Sequence, residues 1–153
     1  MASMYQTFET DPELEQSGVW VEYDSFRVKL ARAGGSNKRF ARVLEAKTKP
    51  YRRAIDTETM SNSVADRLNK EAFSEVLVTG WEVREVDEDG NHKGWKPGIE
   101  NSDPEGDLLP FTAENVLAVF QHPQMQDLYI DLTKQAQRMA LYRRHTLETD
   151  QGN

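Results

Sequence analysis

Cysteine is absent from this chain of 153 residues. Without it, the protein has no disulfide framework, no cysteine-based zinc site and no cysteine nucleophile. The sequence also has no apolar run that approaches the roughly 18 residues a membrane span needs. The first residues are polar and acidic, unlike a secretory signal, so we expect a protein of the cytoplasm.

Large apolar side chains are scarce as well. Leu, Ile, Val and Phe together supply 32 residues, which is close to the level of about 20% below which disorder becomes the usual state. We therefore expect a single folded domain at residues 19–149 with loose parts attached. Those parts are a flexible acidic arm at 1–18, a mobile acidic insertion at 87–107 and a tail at 150–153.

Charge is segregated into blocks along the chain. The net charge is −7, but residues 27–53 hold ten bases and one acid, whereas residues 1–26 hold six acids and no base. Residues 54–107 are acidic again, with 14 acids and five bases. Such blocks attract one another and attract partners of opposite sign. The overall acidity argues against nucleic acid as a partner of the whole chain.

The periodicity of apolar residues changes after Gly35. Residues 19–23 and 26–30 are rich in β-branched and aromatic side chains and flank a two-residue turn, which predicts a β-hairpin. Downstream, apolar residues recur at helical spacing, and the last such pattern begins at His122. We therefore predict an α+β fold that is mainly α-helical, with an N-terminal β-hairpin and a long C-terminal helix. Residues 81–86 alternate and are compatible with a further strand.

Catalytic motifs find little support in the sequence. The three histidines are widely separated, and none has a neighbour at metal-ligand spacing. The acidic run at 87–89 lacks the pattern of a calcium-binding loop, and the glycines at 34–35 lack the spacing of a phosphate-binding loop. We therefore expect no enzymatic activity, no catalytic or metal-binding residue and no cofactor.

Two surfaces are candidates for binding a partner. The basic segment 27–53 could contact phosphates, or it could be a solvated helix face neutralised by the chain's own acids or by an acidic partner. The apolar stripe of the terminal helix could be ordinary core or could dock against a partner helix. The candidate contact residues are Arg39, Arg42, Arg52, Arg53, Met125, Leu128, Tyr129, Leu132, Ala136 and Met139.

Seven short phrases follow one another along the chain. They are YQTFETD at 5–11, GVWVEY at 18–23, FRV at 26–28, ARAGGSNKRF at 31–40, LEAKTKPYRRA at 44–54, GWE at 80–82 and LPFTAENV at 109–116. In this order they resemble the tail assembly chaperones of long-tailed, siphovirus-like bacteriophages, and the resemblance covers most of residues 5–149. The arrangement is more compact in that family, because residues 87–107 lengthen it here.

The resemblance implies a non-enzymatic role in virion morphogenesis. Such chaperones coat the tape measure protein in the host cytoplasm, keep it soluble, help to recruit tail tube subunits and leave as the tube polymerises. The expected partners are therefore the tape measure protein, the tail tube protein and further copies of the chain in a homo-oligomer, without a membrane and without a place in the mature virion. The residues alone leave one alternative, a small phage nucleic-acid-binding adaptor that uses segment 27–53.

Overall fold

The protein is described by a computed structural model at residues 3–143, with the backbone alone at Met139. The predicted tail at 150–153 and the last part of the predicted C-terminal helix lie outside the described residues. Three short 3-10 helices occur at Lys49–Tyr51, Pro123–Met125 and Met139–Tyr142. The other elements are α1 (Met4–Phe8), α2 (Pro12–Ser17), β1 (Val19–Glu22), β2 (Phe26–Leu30), α3 (Arg39–Thr48), α4 (Arg52–Asp56), α5 (Asn62–Val76), β3 (Val78–Val86), β4 (His92–Pro97), α6 (Ala113–Gln121) and α7 (Gln126–Gln137).

The four strands form one antiparallel sheet in the order β1-β2-β3-β4. The predicted hairpin is confirmed, since β1 pairs with β2 from Val19 opposite Leu30 to Glu22 opposite Arg27. Strand β3 pairs with the other side of β2, and β4 pairs with β3. Because side chains alternate between the faces of a strand, Val28 and Leu30 lie on one face of the sheet while Arg27 and Lys29 lie on the other.

The core lies between one face of the sheet and helices α5, α6 and α7. Phe73 of α5 is at its centre, with ring centroids 5.5 Å from both Phe120 of α6 and Tyr129 of α7 in edge-to-face geometry. Leu132 and Ala136 of α7 are fully buried in the same cluster as Val28, Leu30 and Trp81 of the sheet. The helices therefore pack on the face of the sheet that carries Val28 and Leu30.

Side-chain caps fix the starts of three helical segments. The Ser61 hydroxyl accepts a hydrogen bond from the backbone N–H of Val64 at the start of α5, and the Thr112 hydroxyl caps α6 in the same way. His122 Nδ1 accepts from the backbone N–H of Gln124 at 3.1 Å. Ser61, Thr112 and His122 each satisfy a backbone N–H that the first turn leaves unpaired.

The fold prediction is wrong in two respects. The further strand expected at 81–86 is confirmed as β3, but the sheet has a fourth strand, β4, inside the stretch at 87–107 that was predicted to be a mobile acidic insertion. No long C-terminal helix forms among residues 3–143, because α7 ends after 12 residues. Arg138 then adopts extended backbone angles, φ −77° and ψ 105°. The break lets the chain turn back, so that buried Tyr142 donates a hydrogen bond from its hydroxyl to the carbonyl oxygen of Leu30 at 3.0 Å.

The stretch predicted to be an acidic arm contains the short helices α1 and α2. It is tied to the end of the described chain, where the backbone N–H of Asp11 donates to the carbonyl of Tyr142 at 2.8 Å. The flexibility predicted for 1–18 and the mobility predicted for 87–107 stay predictions. No helix within residues 3–143 combines the length and the apolar character needed to cross a bilayer.

Candidate partner-binding surfaces

The basic segment 27–53 does not form one surface. Its first part follows β2 and the turn after it, where Arg27 lies on the outer face of the sheet and Arg32 reaches a buried carboxylate. Its second part forms α3, a 3-10 turn and α4, which lie on the helical side of the molecule because α3 packs against α5. Each part therefore has its own surroundings and must be judged separately.

Arg32 belongs to a buried ion pair with Glu15. Glu15 is 0% exposed, and its Oε2 accepts a hydrogen bond from Arg32 Nη1 at 2.6 Å. Its Oε1 accepts from the hydroxyls of Thr10 at 2.9 Å and Ser36 at 2.7 Å. Burial tends to raise the pKa of Glu15, but the hydrogen bonds from Ser36, Arg32 and Thr10 and the Arg32 charge hold the pKa below its ordinary value. The cluster attaches α2 to the turn after β2.

Gly35 is required where this turn passes the buried carboxylate. Its backbone has φ +58°, which is left-handed, and a Cβ atom there would lie 2.0 Å from Glu15 Oε2. A side chain would therefore both strain the backbone and displace the carboxylate. The close approach explains Gly35, whereas Gly34 has open space around it and a φ of +137°, which side chains rarely adopt.

Arg27 is held between two tryptophans on the outer face of the sheet. Its Cζ lies 4.1 Å from the ring centroid of Trp20 and 4.5 Å from that of Trp95. Its Nε donates to Glu82 Oε1 at 2.7 Å, so its charge is compensated within the molecule. Trp20 lies over Gly80, where a Cβ atom would be 3.0 Å from Trp20 Cη2. These contacts make Arg27 a structural residue of the sheet and remove it from the set of free bases.

The arginines of the second part are exposed. Arg39, Arg42, Arg52 and Arg53 all have exposed side chains, and none of them makes an ion pair with another residue in the range 3–143. Lys47 behaves differently, because it reaches Glu75 at 2.7 Å and Glu71 at 3.6 Å on α5, and these contacts raise its pKa. The exposed arginines are thus left for an external partner or for solvent.

An open depression of about 620 Å³ lies on this basic surface. The bases around it are Arg42, Lys49 and Arg52, and two acids, Glu45 and Asp56, also line it. Its apolar contributors include Ile55, which is 44% exposed. The depression therefore combines a positive rim with a small accessible apolar area.

The apolar stripe predicted on the terminal helix is mainly core. Leu132 and Ala136 are 0% exposed, and Leu128 and Tyr129 are half-buried against the same cluster. Met125 is 41% exposed and lies before α7, while the side chain of Met139 lies outside what the structure describes. Of the six predicted apolar contact residues, Met125 alone is both described and exposed.

Met125 lies at a second depression, an apolar cleft of about 320 Å³ beside α6. One wall is the start of the loop that leaves β4, and Leu109 at the end of that loop contributes to the same cleft. The lining is Glu100, Asn101, Ser102, Leu109, Asn115, Ala118, Val119, His122, Gln124 and Met125. An apolar floor with a polar rim of this kind suits an amphipathic polypeptide segment.

Sequence reasoning missed most of this cleft. Leu109 and Asn115 belong to the phrase at 109–116, which is one of the phrases that carry the resemblance. The residues of that phrase do not by themselves indicate that it would line a depression. Trp20 and Trp95 were also not selected, because their shared contact with Arg27 depends on the pairing of strands that are distant in sequence. Within residues 3–143 no group of three or more His, Asp or Glu side chains is placed to hold a metal ion.

One protein-family model matches the chain. The model of a family described as YdaY prophage protein matches residues 35–153, which is more than half of the chain. The chain therefore belongs to the YdaY prophage protein family and is phage-derived. No curated protein and no solved structure matches it.

Proposed function

We propose that this phage-derived protein is a non-enzymatic tail assembly chaperone that acts in the host cytoplasm. It binds the tape measure protein, keeps it soluble, helps to recruit tail tube subunits and leaves before the virion is mature. The observation that carries the proposal is the apolar cleft beside α6, since a chaperone needs an accessible apolar surface for its client.

The cleft has features that suit a helical client. Leu109, Val119 and Met125 offer apolar contact, and Met125 has a flexible thioether side chain that adapts to varied partners. Asn115 and Gln124 on the rim can hydrogen-bond to polar groups of a bound segment. This combination favours reversible binding of many similar amphipathic segments over selection of one ligand.

Two further observations support the proposal. Membership of a prophage family agrees with the phage origin that the resemblance implies. Large apolar side chains are also exposed elsewhere, notably at Met4, Tyr5 and Phe8, where the exposed fractions range from 57% to 73%. Phe8 follows Met4 by four residues and Tyr5 by three, so it neighbours both side chains on the short helix α1, and the three offer additional area for a long client.

Co-expression with the tape measure protein of the same phage tests the proposal. The wild-type chain is expected to keep an otherwise insoluble tape measure fragment in the soluble fraction. The double variant Ala118→Glu/Met125→Glu places two charges in the cleft and should lose this effect. Ala118 and Met125 are both exposed, so the variant should still fold, which a far-UV circular dichroism spectrum checks.

A matched control separates the cleft from a general effect of added charge. Ala113→Glu/Ile130→Glu introduces the same charges at exposed positions of α6 and α7 that do not line the cleft, and it should keep the fragment soluble. If the fragment stays insoluble beside abundant folded wild-type protein, the proposed function is wrong. If both double variants keep it soluble, the client binds elsewhere on the chain.

The second candidate is a nucleic-acid-binding adaptor that uses the basic segment. The observation in its favour is the exposure of Arg39, Arg42, Arg52 and Arg53 without ion pairs within residues 3–143. Arg27 and Arg32 do not contribute, because Glu82 and Glu15 already neutralise them. A duplex-binding measurement distinguishes the candidates, since an adaptor should bind with a steep dependence on salt and the chaperone should bind hardly at all.

A further inference from the structure

A closed acidic loop projects from the molecule between β4 and α6. At its base, Ile99 and Leu109 exchange two backbone hydrogen bonds, each of 2.8 Å. Ile99 is buried, whereas every residue from 100 to 107 is exposed. The loop carries the acids Glu100, Asp103, Glu105 and Asp107, none of which makes an ion pair within residues 3–143.

The basic depression between α3 and α4 has the complementary properties. It is open, has a volume of about 620 Å³ and is lined by Arg42, Lys49 and Arg52. Arg39 and Arg53 add exposed positive charge in the same two helices. None of these five bases forms an ion pair within residues 3–143, although Glu45 and Asp56 line the same depression. The molecule therefore has a protruding negative element and a recessed positive one, and the two are not paired internally.

We propose that the acidic loop at 99–109 of one copy inserts into the basic depression of a second copy. The two surfaces are different parts of the chain, so the contact is head-to-tail, and a pair of copies keeps one free loop and one free depression. Repetition of the contact therefore builds rows or rings of the protein. This inference rests on charge and shape within the chain and does not depend on the tape measure protein.

The composition of the depression favours a protein loop over nucleic acid. Glu45 and Asp56 stand among the bases, and they would repel a row of phosphates as well as the acids of the loop. A loop of this chain, unlike phosphate, has a donor that offsets this repulsion, because it presents the Asn101 amide next to its acids. The Ser102 hydroxyl donates within the loop, to Asn101 Oδ1 at 3.4 Å. Long-range attraction between opposite charges also speeds correct encounter and weakens as salt is added.

Sedimentation velocity tests the contact with two double variants. Asp103→Asn/Glu105→Gln removes two charges from the loop, and the Asn side chain keeps the oxygen that accepts from the backbone N–H of Glu105. Arg42→Gln/Arg52→Gln removes two charges from the depression. All four positions are exposed, so both variants should fold like the wild type. The matched controls Glu9→Gln/Glu58→Gln and Lys134→Gln/Arg138→Gln change exposed charges elsewhere by the same amounts.

The wild type and both controls are expected to associate at low ionic strength, with association about tenfold weaker or more when the salt is raised to ~0.5 M. Each loop or depression variant alone should be monomeric. An equimolar mixture of the two should form dimers and nothing larger, because one intact loop meets one intact depression. A wild type that is monomeric at low salt overturns the proposal, and so do variants that associate like the wild type or mixtures that stay monomeric. Binding of a 20-base-pair duplex that requires Arg42 and Arg52, in a chain that does not self-associate, assigns the depression to nucleic acid instead.

Discussion

The two parts of the basic segment show how the same composition can have opposite roles. Around β2, Arg27 and Arg32 are covered and paired with Glu82 and Glu15. In α3 and α4, the arginines are exposed and unpaired within residues 3–143. The first group stabilises the junction of sheet and turn, whereas the second is available to partners. A block of charge in the sequence is therefore not yet a surface, because tertiary structure decides which charges are neutralised internally.

Among changes that distinguish the two parts of the basic segment, Glu15→Gln is expected to have the largest effect on the free energy of unfolding. The change leaves Arg32, which is 15% exposed, without its counter-ion in a covered site, and the free energy of unfolding should fall by about 3 kcal/mol. Urea denaturation followed by circular dichroism measures this. Glu13→Gln, at an exposed position of the same helix, is the control and should change stability by no more than about 0.5 kcal/mol. Equal effects of the two changes would show that the buried pair is not stabilising.

The difference between wild type and Glu15→Gln should also depend on pH. Because the folded protein holds the pKa of Glu15 below its ordinary value, the ionised group adds stability above the pKa of the unfolded chain, about 4.3. That contribution is lost as the pH falls from there through the folded pKa. Denaturation curves collected from pH 7 downwards should therefore converge in acid. A constant difference across that range would argue against ionisation as its cause.

A smaller loss of stability is expected from Arg27→Ala. This change removes the guanidinium between Trp20 and Trp95 and its hydrogen bond to Glu82. The free energy of unfolding should therefore fall by about 1–2 kcal/mol. Tryptophan fluorescence during denaturation reports both stability and the local surroundings. Arg27→Lys keeps the charge but not the planar group, and it should recover less than half of the loss. Full recovery by lysine would mean that charge alone matters there.

The smallest effect should come from Arg42→Gln. Its side chain is exposed and has no ion pair in the described part of the chain, so its removal should alter the free energy of unfolding by less than about 0.5 kcal/mol. Thermal and urea unfolding measure this change in the free energy of unfolding. A loss comparable with that of Glu15→Gln would place Arg42 with the paired arginines and remove the contrast between the two parts.

Local signals in the sequence predicted the elements that form from neighbouring residues. The hairpin at β1 and β2 and the starts of α5 and α6 depend on alternation, a short turn and capping hydroxyls, all within a few residues. Strand β4 was missed because Gly94, Pro97 and two lysines are poor strand formers. It forms because β3 is available beside it, with Trp95 opposite Arg84.

The C-terminal helix was overpredicted for a related reason. Residues 138–141 are individually good helix formers, so no local residue marks the end of α7. The end is set by distant contacts, in which Ala136 accepts a hydrogen bond from the backbone of Ala33 and Tyr142 donates one to Leu30. Glu15 was assigned to a solvated arm on composition, since its partners Arg32 and Ser36 stand about 20 residues away.

The candidate surface was predicted in part. The exposure of Arg39, Arg42, Arg52 and Arg53 follows from the polar side of an amphipathic helix, which the sequence displays. The apolar stripe does not distinguish core from partner contact, because burial requires the same spacing in both cases. Leu132 shows the consequence, since its full burial means that Leu132→Asp would test folding and not client binding.

The hydrogen bond between Tyr142 and Leu30 has a consequence for the order in which the chain folds. It joins residues separated by 112 positions, and the Asp11–Tyr142 and Thr10–Arg143 contacts span even more of the chain. Closing so long a loop is entropically costly before other contacts exist. On a growing chain, the hairpin and α5 can form early, but the carbonyl of Leu30 must wait for Tyr142 to be synthesised. The contacts of Tyr142 therefore form late, and nascent chains that stop before it should be more sensitive to proteases than chains that include it.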